Sequence, residues 1–299
     1  MNPLGINLSF TVKRWVEPEV WTELVLSMGL SLAQFSFDLI DPLWTPNLRL
    51  PLAKAHRQAS EARGIRIHSA FVGLACYTYN NLLHPLLEGR EAAKLWWRGA
   101  IETAVELGTA RVGGPLGGMS VRDAGDPVKR AERLAVLRTD LLELLEYAQT
   151  CGLQEFLVEP VPLTRETPWS IDEARGLLTD LSSAKIPVKL CVDIGHALYQ
   201  PLYGKTAKLE PWLELGDSVG LLHLQQTDGM SDSHWGFNDP RGIVNLEHVR
   251  TQLEATNHNN LPVILEVFYP FEQDDAVVLK DVRSSIHKMR QVWSYTHSV

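Results

Sequence analysis

Cysteine is scarce in this 299-residue chain: Cys76, Cys151 and Cys191 are odd in number and show no ligand-like spacing. That excludes a disulfide framework or a thiolate zinc site, and it suits a reducing compartment with the thiols as small core residues. Basic residues are also few: 28 Lys and Arg against 36 Asp and Glu give a net charge of -8. A surface that neutralises nucleic-acid phosphates needs clustered positive charge, so nucleic acid is not an expected partner. No apolar run approaches the roughly 18 residues of a membrane span. The opening segment MNPLGINLSF lacks the basic and long apolar regions of a secretion signal. No membrane partner is expected, and the expected location is the cytoplasm. Low-complexity linkers and internal repeats are absent, and no Gly-x-Gly-x-x-Gly follows the first strand-like run to support an open dinucleotide-binding sheet.

What is present is a regular alternation. Strand-like runs fall near 4–9, 33–37, 65–72, 109–113, 154–159, 188–193, 219–225 and 262–267. Helical patterns lie between them, at 51–63, 90–107, 127–150, 171–184, 245–256 and 276–296. The first three run into a Gly at or just past their ends, a common helix stop. Eight strands alternating with helices predict a parallel sheet, and closure of that sheet gives a (βα)8 TIM barrel, expected as a single domain over residues 1–299. Two polar stretches, 113–127 after the fourth strand and 226–243 after the seventh, belong on the catalytic face of such a barrel. Within the first, Gly113-Gly114 lets backbone N–H groups approach an anion.

Four strand-like runs of the C-terminal half end on a residue able to bind a metal: EFLVEP with Glu159, VKLCVDIGH with Asp193, GLLHLQQTD with Gln225 and PVILEVF with Glu266. The spacings of 34, 32 and 41 residues are about one strand–helix unit each. A carboxylate at the end of an apolar strand costs several kcal/mol to bury unless something pairs with it, and a shared divalent cation would supply that pairing. Alternation supports convergence, because Leu157 and Glu159, Cys191 and Asp193, His223 and Gln225, and Ile264 and Glu266 each share a strand face. Three carboxylates and an amide oxygen suit Mn2+, Mg2+ or Co2+ better than structural zinc. His196, three residues after Asp193, is within reach of a substrate in the same mouth. Asn7, Gln34 and His68 lie on strands one, two and three as candidate lining residues. Trp15, Phe35, Phe71, Trp235 and Phe268 are candidate pocket walls, with core packing the alternative for each.

The motifs V-E-P at Glu159, D-I-G-H at Asp193–His196, H-L-Q at His223–Gln225 and L-E-V at Glu266 resemble the xylose isomerase-like barrel superfamily of sugar and sugar-phosphate isomerases and epimerases. The H-x-Q form is similar to the hydroxypyruvate isomerase branch, whereas ketose 3-epimerases usually place His at the Gln225 position. The segment YNNLLHP (Tyr79–Pro85) resembles erythrulose-phosphate epimerase-like members. The resemblance implies that Glu159 and Glu266 bind the metal and serve as acid and base, that Asp193 and Gln225 complete the metal site, and that His196 binds a substrate oxygen. It also implies a dimer or tetramer, for which the Trp96–Trp97 pair would supply a contact, with packing against the barrel the alternative.

The implied activity is isomerisation or epimerisation of a small ketose or ketose phosphate through a cis-enediolate. Return of the proton to the neighbouring carbon isomerises, and return to the opposite face of the same carbon epimerises. A metal-dependent dehydratase of a keto-sugar or inositol is the alternative on the same barrel. Endonucleases of related barrels resemble a more histidine-rich pattern, which is not evident in this sequence, and a non-catalytic sugar binder is hard to reconcile with four intact ligand positions. One departure is informative. Where the epimerases carry a substrate-binding Glu six residues after the first ligand, this chain has Arg165. A guanidinium there suits a phosphate or carboxylate on the substrate. Arg241, in the loop after strand seven, and His68 complete the expected substrate-binding set.

Overall fold

In the computed structural model, which describes residues 1–294, the chain forms eight parallel strands hydrogen-bonded in sequence order into a closed barrel. They are β1 (Leu4–Asn7), β2 (Leu32–Ser36), β3 (Arg66–Phe71), β4 (Arg111–Gly114), β5 (Glu155–Val158), β6 (Val188–Asp193), β7 (Val219–Leu224) and β8 (Val263–Leu265). The expected TIM barrel is therefore what the chain forms. Each strand is bounded within a few residues of its sequence-based range. β5, β7 and β8 stop one or two residues earlier than expected, so that Glu159, Gln225 and Glu266 each lie one residue past a strand, while Asp193 is the last residue of β6, as expected. No helix among the described residues is long and apolar enough to cross a membrane.

The first three helical patterns end within one residue of the expected position, whereas the helix expected over 171–184 is Ile171–Asp180. The Pro127–Cys151 helix starts from Asp126, whose side chain accepts from the N–H groups of Val128 and Lys129, and ends at Gly152 with φ 98°. That left-handed turn suits glycine. The Leu87–Glu106 helix begins three residues earlier than its apolar pattern predicts. The helix expected from Pro51 begins at Pro46 instead and carries Pro51 inside it. Its first amides still find partners, since Leu48 and Arg49 both donate to the Thr45 carbonyl. The last helix is Asp275–Ser294; the expected extension over 295–296 lies outside the described residues.

Two compact units are distinguishable, one of Met1–Gln34, Ser60–Arg66 and the chain from Val192 onward, the other of Phe35–Ala59 and Ile67–Cys191. In the first, β7 pairs with β8 (Leu222↔Val263, Leu224↔Leu265), β8 with β1 (Leu4↔Val263, Ile6↔Leu265) and β1 with β2 (Ile6↔Ala33, Asn7↔Gln34). Gly5 is required by this approach, since a Cβ there would sit 2.6 Å from Ile264 Cδ1 and 2.9 Å from the Leu32 carbonyl. In the second, β3, β4, β5 and β6 pair in order. Trp97 is wholly buried there: its Nε1 donates to Asn81 Oδ1 at 3.0 Å, and its ring lies 5.1 Å from that of Phe156. Trp96 is 6 % exposed and packs edge-on against Trp97 and Phe37. Both tryptophans are core, which is the packing alternative rather than a subunit contact.

Candidate metal centre

The first unit gathers its ionisable side chains at the C-terminal ends of β6, β7 and β8. Asp193 ends β6 and turns the chain into the short Ile194–Ala197 helix, its Oδ1 accepting from the His196 amide at 2.9 Å. The same oxygen accepts from Gln225 Nε2 at 2.8 Å. Asp193 is 1 % exposed, and its Oδ2 has no hydrogen-bond partner. Gln225 Oε1 accepts the backbone N–H of His234. Gly195 is dictated by this packing, because a Cβ would stand 2.5 Å from Gln225 Nε2.

Glu266 is buried with a nitrogen beside each oxygen. Asn7 Nδ2 donates to Oε1 at 2.8 Å, and His223 Nδ1 lies 3.0 Å from Oε2. Burial works to raise its pKa, but the neighbouring His223, followed by His234 and His196, outweighs this and leaves the carboxyl below its ordinary value. The ligand atoms of Asp193, His223 and Glu266 lie within 4.8 Å of one another.

A second group lies beside the first. His196 Nε2 and His234 Nε2 approach a single oxygen of Asp232, Oδ1, at 3.3 and 3.0 Å, and these three also converge within 4.8 Å. His234 adopts φ 46°, a left-handed backbone that is uncommon for a residue with a side chain. Its ring packs edge-on to Phe268 at 4.6 Å, and its Nδ1 is 3.6 Å from Glu266 Oε2. Burial opposes charge on His234, yet Asp232, then Asp193 and Glu266, pull its pKa up to about 9. Burial likewise works to raise Asp232, but His234 and His196 hold it well below the usual carboxylate range.

The arrangement fits a divalent cation. A fully buried carboxylate oxygen without a partner, Asp193 Oδ2, faces a cluster that includes a second buried carboxylate, and carboxylates in that state are ordinarily paired or bound to metal. Oxygen donors with one imidazole suit Mn2+, Mg2+ or Co2+, and the His–Asp–His group is richer in nitrogen.

Of the residues picked out in the sequence, Asp193, His196, Gln225 and Glu266 come together in the first unit. Glu159 belongs to the second, buried directly after β5 with its amide donating to the Gly114 carbonyl at 3.2 Å. His68 is also in the second unit, on β3, buried, with Nδ1 3.1 Å from Ser69 Oγ. Arg165 is half-buried in the loop after β5, and its carbonyl accepts from the Met119 amide at 2.7 Å. Arg241 is exposed, held by Asp239 through two bonds of 2.9 and 2.7 Å and stacked 3.7 Å over the Trp235 ring. Among the proposed walls, Phe35 and Phe71 are buried core.

Sequence reasoning missed three residues. His223 shares a strand face with Gln225 and was passed over for it. Asp232 and His234 form an Asp-x-His pair inside a long polar loop, and that spacing was the available signal. With them the centre holds three histidines, His196, His223 and His234; Asp232 lies 36 positions after His196 in sequence, and the loop fold closes that gap.

A family model described as xylose isomerase-like TIM barrel matches residues 23–286. A solved protein of Rhodospirillum rubrum ATCC 11170, provisionally assigned as a xylose isomerase, is similar at 38 % identity over 97 % of this chain and 99 % of its own, with a TM-score of 0.95. The fold is shared with D-psicose 3-epimerase from Clostridium cellulolyticum H10 (15 % identity, 97 % of this chain and 99 % of that one, TM-score 0.70). It is also shared with 3-keto-D-glucoside 4-epimerase from E. coli (14 %, 97 % and 100 %, TM-score 0.69). No curated protein matches this sequence.

Proposed function

The chain belongs to the xylose isomerase-like TIM barrel family, and from that premise we propose that it is a metal-dependent isomerase or epimerase of a small ketose or ketose phosphate. The observation that carries this reading is the buried, partnerless Oδ2 of Asp193 beside the buried carboxylate of Glu266. Mn2+, Mg2+ or Co2+ would be held by Asp193, Glu266, Glu159 and Gln225, whose amide oxygen keeps a lone pair beyond the one used by His234. The cation supplies polarisation of a ketose carbonyl and its neighbouring hydroxyl, which acidifies the carbon-bound proton between them.

Glu266 is assigned the removal of that proton. Its depressed pKa keeps it ionised at neutral pH, and the Asn7 N–H on one oxygen and the His223 ring against the other hold its plane. Glu159 is assigned the opposite side of the substrate, with the proton exchanged through a cis-enediolate. His196 is assigned a substrate oxygen, steadied by Asp232. His68, Arg165 and Arg241 are assigned the remainder of the substrate, the two arginines serving an anionic end. Arg241 would exchange part of its Asp239 pairing to do so.

The test is proton exchange in D2O followed by NMR, with Mn2+-activated protein and free and phosphorylated ketoses of four to six carbons. Deuterium incorporation with a new sugar signal of unchanged mass supports the reading. Loss of water from the product would assign a dehydratase, and absence of exchange across the panel would end the isomerase–epimerase reading.

A further inference from the structure

Asn7, Gln34, His223 and Glu266 form a closed hydrogen-bond ring, and its polarity is fixed from outside. The backbone N–H of Ser9 donates to Asn7 Oδ1 at 2.8 Å. A backbone amide only donates, so this contact fixes which end of the Asn7 amide is oxygen. Nδ2 of Asn7 therefore faces Gln34 Oε1 at 2.6 Å and Glu266 Oε1 at 2.8 Å, giving one hydrogen to each. Gln34 Oε1 is thereby an acceptor, and His223 Nε2, 2.7 Å from it, must carry a hydrogen. The other ring nitrogen, Nδ1, is 3.0 Å from Glu266 Oε2 and also faces an acceptor. Asn7, Gln34 and His223 are each no more than 2 % exposed, and Glu266 is 5 % exposed, so bulk water does not compete for these bonds.

We propose that Asn7 and Gln34 are positioning residues for Glu266: Asn7 Nδ2 holds Oε1 directly, and Gln34 Oε1 fixes both that amide and the His223 ring, whose Nδ1 stands against Oε2. Neither side chain touches substrate in this scheme. Their effect is to pin the carboxylate plane, so that its outward lone pairs face the proton to be moved. The positioning role rests on the reading of Glu266 as the proton-transfer group. The hydrogen on His223 Nε2 does not, and it is measurable in protein that has no substrate.

The experiment has two arms. In the first, protein labelled with 15N-histidine is examined by NMR at neutral pH, metal-free and with Mg2+. Nε2 of His223 is expected in the N–H form. Gln34→Met, which keeps length and removes the acceptor, is expected to lose the Nε2–H signal, and Gln34→Glu, which keeps an oxygen there, is expected to retain it. A His223 whose Nε2 carries no hydrogen in the unmodified protein overturns the ring.

In the second arm, Gln34→Met is expected to lower kcat by about 10–100-fold, the range typical of residues that orient metal-site ligands, with KM within about twofold. Gln34→Glu should recover most of the rate. Asn7→Asp, which keeps the Ser9 contact and loses both donors, is expected to lower kcat similarly and serves if the methionine variant does not fold. A kcat unchanged in folded Gln34→Met and Asn7→Asp overturns the positioning role while leaving the proposed activity intact. No turnover by the unmodified protein on any ketose ends the proposed activity and the positioning role together, with the ring judged by NMR alone.

Discussion

Gln225 Nε2 donates to Asp193 Oδ1 across 2.8 Å, and with the His196 amide on the same oxygen the hydrogen bonding of Asp193 is confined to one side of its carboxylate. The other oxygen, buried and without a partner, is the observation best explained by a cation. Added Mn2+ is therefore expected to raise the melting temperature of chelator-treated protein, by about 2.7 kcal/mol of stability at a hundredfold excess over Kd. Asp193→Asn should remove that increment. Gly195→Ala, whose new Cβ would press on Gln225 at 2.5 Å, should weaken Mn2+ binding measured by calorimetry. An unchanged affinity in both variants would separate this cluster from metal binding.

Glu266→Gln retains shape and loses basicity. Turnover is expected to fall by about 10²–10⁴-fold, the usual contribution of a positioned proton-transfer group, with the far-ultraviolet circular dichroism unchanged. Glu159→Gln should behave alike. Steady-state rates on the substrate found by deuterium exchange provide the check.

The His234–Asp232 pair gives metal-free protein a pH-dependent stability. The His234 pKa is raised from 6.5 to about 9, so its contribution is complete below about 6.5 and is lost as pH rises through 9. The depressed Asp232 carboxyl works in the opposite direction: its contribution is present above the unfolded value of 3.8 and lost as pH falls through its lower folded value. Melting temperature should therefore decline between pH 7 and 10. Asp232→Asn should flatten that decline, and an unchanged slope in the variant would assign it to another group.

Arg165→Ala is expected to raise KM for a phosphorylated ketose by about tenfold or more, as loss of a charge-assisted contact does, and to leave KM for the free sugar nearly unchanged. Arg241→Ala should have the smaller effect, since Asp239 already occupies two of its donors. Equal KM values with and without phosphate would place the anionic end elsewhere.

Gly176 lies within the Ile171–Asp180 helix, and a Cβ there would meet nothing within 4 Å. Gly176→Ala is expected to stabilise the fold by about 0.5–1 kcal/mol, chiefly through the lower entropy of the unfolded chain. Thermal or denaturant unfolding measures it, and activity should not change.

The sequence by itself determined the order of elements and the barrel, because alternating β and α periodicities leave few ways to bury both faces of a parallel sheet. It also marked Glu159, Asp193, Gln225 and Glu266, since a polar residue ending an apolar strand is costly unless it is used. What it left open was which side chains meet. His223 and Gln225 share a face on β7, and periodicity alone does not rank them. Asn7 and Gln34 read as candidate lining residues on separate strands until the Asn7↔Gln34 register joined their side chains and the Asn7 amide reached Glu266. Asp232 and His234 sit in a loop with no period to read; the left-handed backbone at His234 and the bond from its amide to Gln225 fold that loop inward. Local periodicity decides elements over a few residues, whereas the polarity of a buried hydrogen-bond ring depends on contacts between residues as far apart as Asn7 and Glu266, which only the tertiary structure brings together.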